Sequence, residues 1–314
     1  MDQHCLRLGI GTTKDDPRSN YYMSPFCHLE GKGFVRKENM WPTLTIDEVN
    51  LWDQVYTILG NPVINKIVAL IPGIKSSQVI EALRKEISYE VRLQVKEVTL
   101  DMSPTMDCIV SELFPQAKRT LDRFHVTKNV LEDIQAVRMR IKTQIKDEEL
   151  QKEDQCKIDR VKYIAKKLSN HETRLDCITR IRYQLFKRRK DWNTCQKKRW
   201  ETIRQYREFD EICISYEMVE IFYSIYDTQM TPETAKPLWI HWLTHISQYG
   251  YIRELQNTGR MIQNHLAGIL NYFHHRSSNA FAEWLHSRIR RLISNVRWFK
   301  NQRYMLYRIM TVFS

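Results

Sequence analysis

No glycine falls between Gly73 and Gly250, and no proline between Pro115 and Pro232. These residues are the strongest interrupters of regular structure. A run without them, rich in Lys, Arg, Glu, Leu and Ile, favours helix almost throughout its second half. Helices are expected over Glu172–Lys190, Thr194–Tyr206 and Ile212–Tyr226, and the charged stretch Lys142–Lys157 reads as an extended helix or a hairpin. Thr231-Pro232-Glu233-Thr234 is a helix-start signal. From Gly259 onward, Met261, Ile262, His265, Leu266, Ile269 and Leu270 mark one helix. After His274–Asn279, another carries Phe281, Leu285, Ile289 and Leu292 on one side and Glu283, Ser287 and Arg290 on the other.

The first third has a different texture. Leu44-Thr45-Ile46-Asp47 and Val55–Leu59 read as strands, Gly60-Asn61-Pro62 as a turn, and Lys66–Ile71 as a third, nearly all-apolar strand ended by Pro72-Gly73. Ser76 or Ser77 can cap a helix with Val79, Ile80, Leu83 and Ile87 on its apolar face. Glu97–Lys128 then reads as strand, helix, strand. One strand stops at Asp101, a helix carries Met106, Ile109, Val110 and Leu113, Phe114-Pro115 closes it, and a second strand ends in Asp122-Arg123-Phe124-His125. The order is β-β-β-α-β-α-β, which predicts a mixed α/β sheet. Ligands of open α/β sheets bind at the carboxyl ends of strands, so Asp101 is a site candidate.

That block resembles the DDE transposases of bacterial insertion sequences, specifically the ISL-three group. The group's pieces stand here as Leu100-Asp101-Met102, Phe114-Pro115-Gln116-Ala117 and Asp122-Arg123-Phe124-His125. The likeness extends from about Asn39 to Ser314. It implies a ribonuclease-H-like mixed sheet interrupted by a large all-helical insertion. The parts expected are a loosely ordered tail over 1–42, the first part of the catalytic core over 43–130, the insertion over 131–258 and the rest of the core over 259–314.

The activity implied is metal-dependent DNA strand cleavage and strand transfer, with two Mg²⁺ ions, replaceable by Mn²⁺, held by three carboxylates. Asp47, ending the leading strand in Leu44-Thr45-Ile46-Asp47-Glu48, matches the group's first acid and Asp101 its second. Glu48 competes with Asp47 but points to the opposite face of the pleat. Glu283 is the third acid, in Arg276-Ser277-Ser278-Asn279-Ala280-Phe281-Ala282-Glu283, which resembles the group's Arg-Ser-x-Asn-Ala-x-Ala-Glu. Without the resemblance, Asp47 would read as a turn cap and Glu283 as a solvated surface residue. Asp122 and His125 either orient a catalytic group or pair as a structural cluster.

Lys plus Arg exceed Asp plus Glu by 49 to 37, a net charge of +12 that calls for an anionic partner. Double-stranded DNA, as element ends and target, is the one the resemblance implies, with a homo-oligomer assembled on it. Arg123, Lys128, Arg288, Arg290 and Arg291 are candidate DNA contacts. Further basic runs are Lys187–Lys190 and Lys197–Arg199, and Arg297 lies beyond them. Trp192, Trp200, Trp298, Phe299 and Tyr304 are interleaved and could stack on splayed bases. The seven scattered cysteines include no C-x-x-C pair, and the adjacent His4-Cys5 and Cys27-His28 do not match zinc spacing. No stretch has the length and apolarity of a membrane span, and a cytoplasmic location is expected.

Three departures stand out. His286-Ser287 and Arg288-Ile289-Arg290 replace the group's Asn-Asn and Lys-Ile-Lys, and Trp298-Phe299-Lys300-Asn301 stands where the group has Gly-Phe-Arg-Asn. The group's upstream DNA-reading module has little room before Asp47, so it is expected either on a separate polypeptide or to be lost. The rival expectations are an inactive remnant that binds DNA through charge, and a helical nucleic-acid-binding or scaffold protein without catalysis.

Overall fold

A computed structural model describes residues 33–277, 279–295 and 302–314, and it divides into two compact units. The first holds the chain up to Lys96, Cys108–Gln116 and Phe281–Ser314; the second holds Glu97–Asp107 and Ala117–Ala280. The fold is α/β with mixed strand pairing, antiparallel in the first unit and parallel in the second, as the element order predicts.

In the first unit, β1 (Phe34–Val35), β2 (Thr43–Leu51), β3 (Gln54–Asn61) and β4 (Lys66–Pro72) pair antiparallel in the order β1-β4-β3-β2. Strand β1 lies inside the segment expected to be a loose tail. Strand β2 runs on to Leu51, well past the expected end at Asp47, because Trp52 adopts a left-handed φ of 56° and lets β3 begin at Gln54. Helix α1 (Ser76–Glu86) buries Val79, Ile80 and Leu83 as its spacing requires. Its N-cap is Lys75, with no side-chain cap, and not either serine. Helix α2 (Tyr89–Leu93), too short to leave a periodic signal, was not expected. It buries Arg92, whose guanidinium donates to the carbonyls of Ile87 and Leu113 at 3.3 and 3.2 Å.

In the second unit, β5 (Glu97–Leu100) and β6 (Lys118–Leu121) are parallel. Between them in the chain comes α3 (Pro104–Leu113), whose residues from Cys108 onward belong to the first unit. Met106, Ile109, Val110 and Leu113 of α3 are all fully buried. Helix α4 (Arg123–Ile158) is 36 residues long, resolving the charged stretch as helix rather than hairpin. There follow α5 (Arg174–Arg180), α6 (Thr194–Ile203), α7 (Asp210–Asp227), α8 (Pro232–Ser247), α9 (Arg253–Asn264) and α10 (Leu266–His275).

Two expected helices are shorter or split. The one over Glu172–Lys190 stops at Arg180, since tertiary hydrogen bonds compete for the backbone beyond. Trp192 Nε1 donates to the Gln184 carbonyl at 3.1 Å, and Gln184 Nε2 donates to the Gln196 carbonyl at 3.2 Å. The one through Met261–Leu270 breaks at His265, whose φ and ψ of −107° and 11° leave the helical region. Trp192, Trp200 and Tyr216 stack with centroids 4.9–5.1 Å apart in the interior, so these tryptophans are core and not base-stacking surfaces.

The chain closes with α11 (Ala280–Ser294) and α12 (Gln302–Phe313). Phe281, Leu285 and Ile289 of α11, with Leu306, Ile309 and Met310 of α12, form one core with Val49, Leu51, Tyr56, Ile58, Ile67 and Leu70 of β2–β4. Each fully buried aliphatic side chain contributes about 1.5–3 kcal/mol, so this seam fixes α11 on the sheet. Gly60 makes the approach possible: a Cβ there would lie 2.2 Å from Phe281 Cε1.

Candidate active site

Parallel pairing carries Leu100 against Leu121, and the Asp122 N–H donates to the Leu100 carbonyl at 2.9 Å. Asp101 and Asp122 therefore emerge side by side from the carboxyl ends of neighbouring strands. Asp101 is half-buried, and its Oδ1 accepts the Ser103 N–H at 2.8 Å, which orients the carboxylate as the chain turns into α3. Strand β6 stops at Leu121. The Asp-Arg-Phe-His segment is accordingly not a strand end: Asp122 is the N-cap residue of α4, and Arg123, Phe124 and His125 form its first turn.

That geometry brings His125 back over Asp122, three residues on. Its Nδ1 lies 2.9 Å from Asp122 Oδ2 and carries the hydrogen whenever the carboxylate is ionised. Asp122 Oδ1 accepts the backbone N–H of Asn279 at 3.1 Å. Asp122 is 1% exposed. Burial by itself would raise its pKa, but the hydrogen bonds from His125 and Asn279 prevail and hold it below the usual carboxylate range.

Asn279 belongs to the segment that leads into the Glu283 helix, and sequence reasoning missed its role. It missed Arg276 as well, whose guanidinium donates to the carbonyls of Tyr226, at 3.2 Å, and Thr228 while lying over the Tyr272 and Phe273 rings. A backbone donor such as the Asn279 N–H carries no residue-type signal. The Arg276 side chain does, and its place in the motif was the available clue.

Asp47 lies in the middle of β2, opposite Ile58, and not at a strand end. Side chains alternate along a strand, so Asp47 shares the β2 face of Val49 and Leu51, the face that α11 covers. It is 9% exposed, and its Oδ1 accepts the Glu48 N–H at 2.8 Å. Glu283 stands in the first turn of α11 on the exposed side, opposite Phe281, Leu285 and Ile289. Among the described residues no group of three or more His, Cys, Asp or Glu is placed to hold a metal ion. The donor types at Asp47, Asp101 and Glu283 are all carboxylate oxygens, the hard ligands that Mg²⁺ takes.

The candidate DNA contacts differ in what they touch. Arg123 is engaged within the protein, donating to Asp227 at 2.6 Å and lying 5.1 Å from the Tyr226 ring centroid. Lys128 is exposed and 3.9 Å from Glu132. Arg288, Arg290 and Arg291 are exposed on α11, with Arg288 over the Trp284 ring. Arg297 and Trp298–Asn301 lie outside the described residues, as do Cys5, Cys27, His4 and His28.

Residues 44–309 match the family model described as a transposase, that of the ISL-three group of DDE transposases. The chain belongs to this transposase family. Comparisons with curated proteins and with solved structures find no match. Membership makes DNA the partner class of this transposase. Among its described residues, no helix is long and apolar enough to cross a membrane.

Proposed function

We propose that this transposase cleaves DNA strands and joins their ends to a target by a DDE mechanism, with Asp47, Asp101 and Glu283 as the metal-holding acids. The observation that most supports it is the strand-end pair Asp101–Asp122, with Asp122 hydrogen-bonded to Asn279 in the motif that opens the Glu283 helix. One acid and the lead-in to another thereby meet around a single ordered carboxylate.

In the first step a water oxygen attacks the phosphodiester phosphorus, and the 3′-oxygen leaves to become a 3′-hydroxyl. In the second, that hydroxyl attacks a target phosphodiester and displaces its 3′-oxygen. Two divalent ions, if held by Asp47, Asp101 and Glu283, would supply the charge that stabilises the attacking and leaving oxygens. Asp122 acts on His125: it holds Nδ1 as the protonated nitrogen and sets the ring's orientation.

Nicking of a supercoiled plasmid carrying the element's ends tests this reading. Cleavage is expected in Mg²⁺ or Mn²⁺ and absent in EDTA, with Ca²⁺ supporting binding alone. Asp47→Asn, Asp101→Asn and Glu283→Gln should each lower cleavage by orders of magnitude while DNA binding stays near the parent's. Undiminished cleavage by Asp101→Asn would remove the DDE mechanism.

A further inference from the structure

The stretch from Arg182 to Arg207 carries an excess of positive charge that the fold only partly neutralises. Three of its cations are spent internally: Arg188 pairs with Glu220 and Asp227, Arg189 with Glu217, and Arg199 with Glu172. The others, Arg182, Lys187, Lys190, Lys197, Lys198, Arg204 and Arg207, are exposed and form no ion pair with any described acid. Asp191 and Glu201 are the only acids within the stretch. Nearby, the buried Arg138 has only Gln135, Met139 and the Ile178 carbonyl as hydrogen-bond partners, none of them anionic. Burial first, and then the charge of Arg182, push its pKa down.

The same stretch presents aromatic rings to solvent. Tyr183 is 68% exposed and Phe186 45% exposed, while Ile181, Gln184 and Leu185 between and beside them are buried. Arg182 lies over the Tyr183 ring at 5.2 Å. The rings that face solvent here are thus not Trp192 and Trp200, which are core. Exposed rings among unpaired cations have little to gain from water and much from a partner with negative charge and flat apolar faces. Nucleic acid is that partner: its phosphates meet the cations, and an unstacked base can lie on a ring.

We infer that this stretch of the helical insertion, built around Tyr183, Phe186, Lys187, Lys190, Lys197 and Lys198, is a second DNA-binding surface. It takes duplex DNA beside a locally unpaired base. The inference rests on the transposase reading for its choice of partner, but not on the metal chemistry.

The test measures binding by fluorescence anisotropy across a salt series, without divalent ions. The variant Lys187→Gln/Lys190→Gln/Lys197→Gln/Lys198→Gln is compared with a control of equal charge change at exposed lysines elsewhere, Lys66→Gln/Lys85→Gln/Lys146→Gln/Lys236→Gln. Each lost phosphate contact lowers the log–log salt slope by about 0.9, so the patch variant should lose up to roughly three to four from the slope and the control little. Tyr183→Ala/Phe186→Ala should weaken binding to a duplex with an unpaired base by about 5- to 100-fold while sparing the fully paired duplex.

Lysine acetylation read by mass spectrometry keeps the inference testable if a variant folds poorly. DNA should protect Lys187, Lys190, Lys197 and Lys198 in the parent protein, and polyglutamate should not. Equal slope changes in patch and control variants, full labelling of the patch on DNA, or protection by polyglutamate alone would overturn it. All arms are repeated with Asp101→Asn. Loss of cleavage there with an unprotected patch sinks only this inference, whereas a protected patch with undiminished cleavage sinks only the catalytic reading.

Discussion

Replacing Asp122 by Ala isolates the carboxylate on which the DRFH segment and the Glu283 helix lead-in converge. The side chain is 1% exposed and accepts from His125 Nδ1 at 2.9 Å and from the Asn279 N–H at 3.1 Å. Hydrogen bonds to a charged group are worth about 1.5–3 kcal/mol each, and removal also strands a buried donor. A loss of roughly 3–5 kcal/mol is expected at pH 7, or a fall of about 5–8 °C in Tm for a chain of this length. The pH dependence has a definite sign. The folded-state pKa of Asp122 is depressed, so its contribution is complete above the ordinary carboxylate value of about 3.9 and disappears as pH falls through the folded value. Urea unfolding of parent and variant from pH 7 down to pH 3 should therefore show two curves that are well separated at neutrality and converge in acid. Asp122→Asn retains one acceptor oxygen for Asn279 and should recover part of the stability. Equal stability of parent and Asp122→Ala at pH 7, or a gap that does not narrow in acid, would refute the role given to this carboxylate.

Gly60→Ala forces a methyl group against Phe281, two residues before Glu283, and should cost about 1–3 kcal/mol in denaturant titrations. It should also lower cleavage more than DNA binding, because α11 is displaced from the sheet. Glu172, held by Arg199 first and also by Arg180, titrates at about 2, so Glu172→Gln should destabilise the protein on the order of 2–3 kcal/mol at pH 7. That difference should be complete above about pH 4.3 and vanish as pH approaches 2, which thermal melts across that range would check. Total DNA affinity should fall steeply with salt and vary little with sequence, checked by competition between unrelated duplexes.

The strands and the early helices were legible because their apolar spacing is strict. Val79, Ile80 and Leu83, then Met106, Ile109, Val110 and Leu113, are buried as their period demands. Boundaries were less legible where backbone geometry overrides side-chain pattern. The length of β2 depends on Trp52 accepting a positive φ, and the end of α5 depends on Trp192 and Gln196 capturing backbone and side-chain groups of Gln184. Asp101 was a candidate from its place at a strand end, whereas Asp47 and Glu283 were nameable only through the resemblance, since nothing in local pattern separates a site carboxylate from a turn cap or a solvated helix residue. Asp101 itself caps a turn through Ser103, and that bond leaves its second carboxylate oxygen for the metal-holding role proposed above.

The residues around Glu283 in its motif have structural work that explains why they recur with it. Arg276 adopts a left-handed φ of 53°, a conformation that costs a non-glycine residue roughly 1–2 kcal/mol. Its bonds to the Tyr226 and Thr228 carbonyls, at the carboxyl end of α7, offset that cost and occupy acceptors that a helix end leaves without intrahelical donors. Asn279 then donates to Asp122, 157 positions earlier in the chain. The helical insertion is thus no passive spacer between parts of the core. Its helix α7 supplies the dock that turns the returning chain toward Asp122, and Asp227, the last residue of that helix, holds Arg123 beside it. A lengthened or deleted insertion would have to preserve that dock, and the dock, more than the insertion's length, is what the motif residues before Glu283 require.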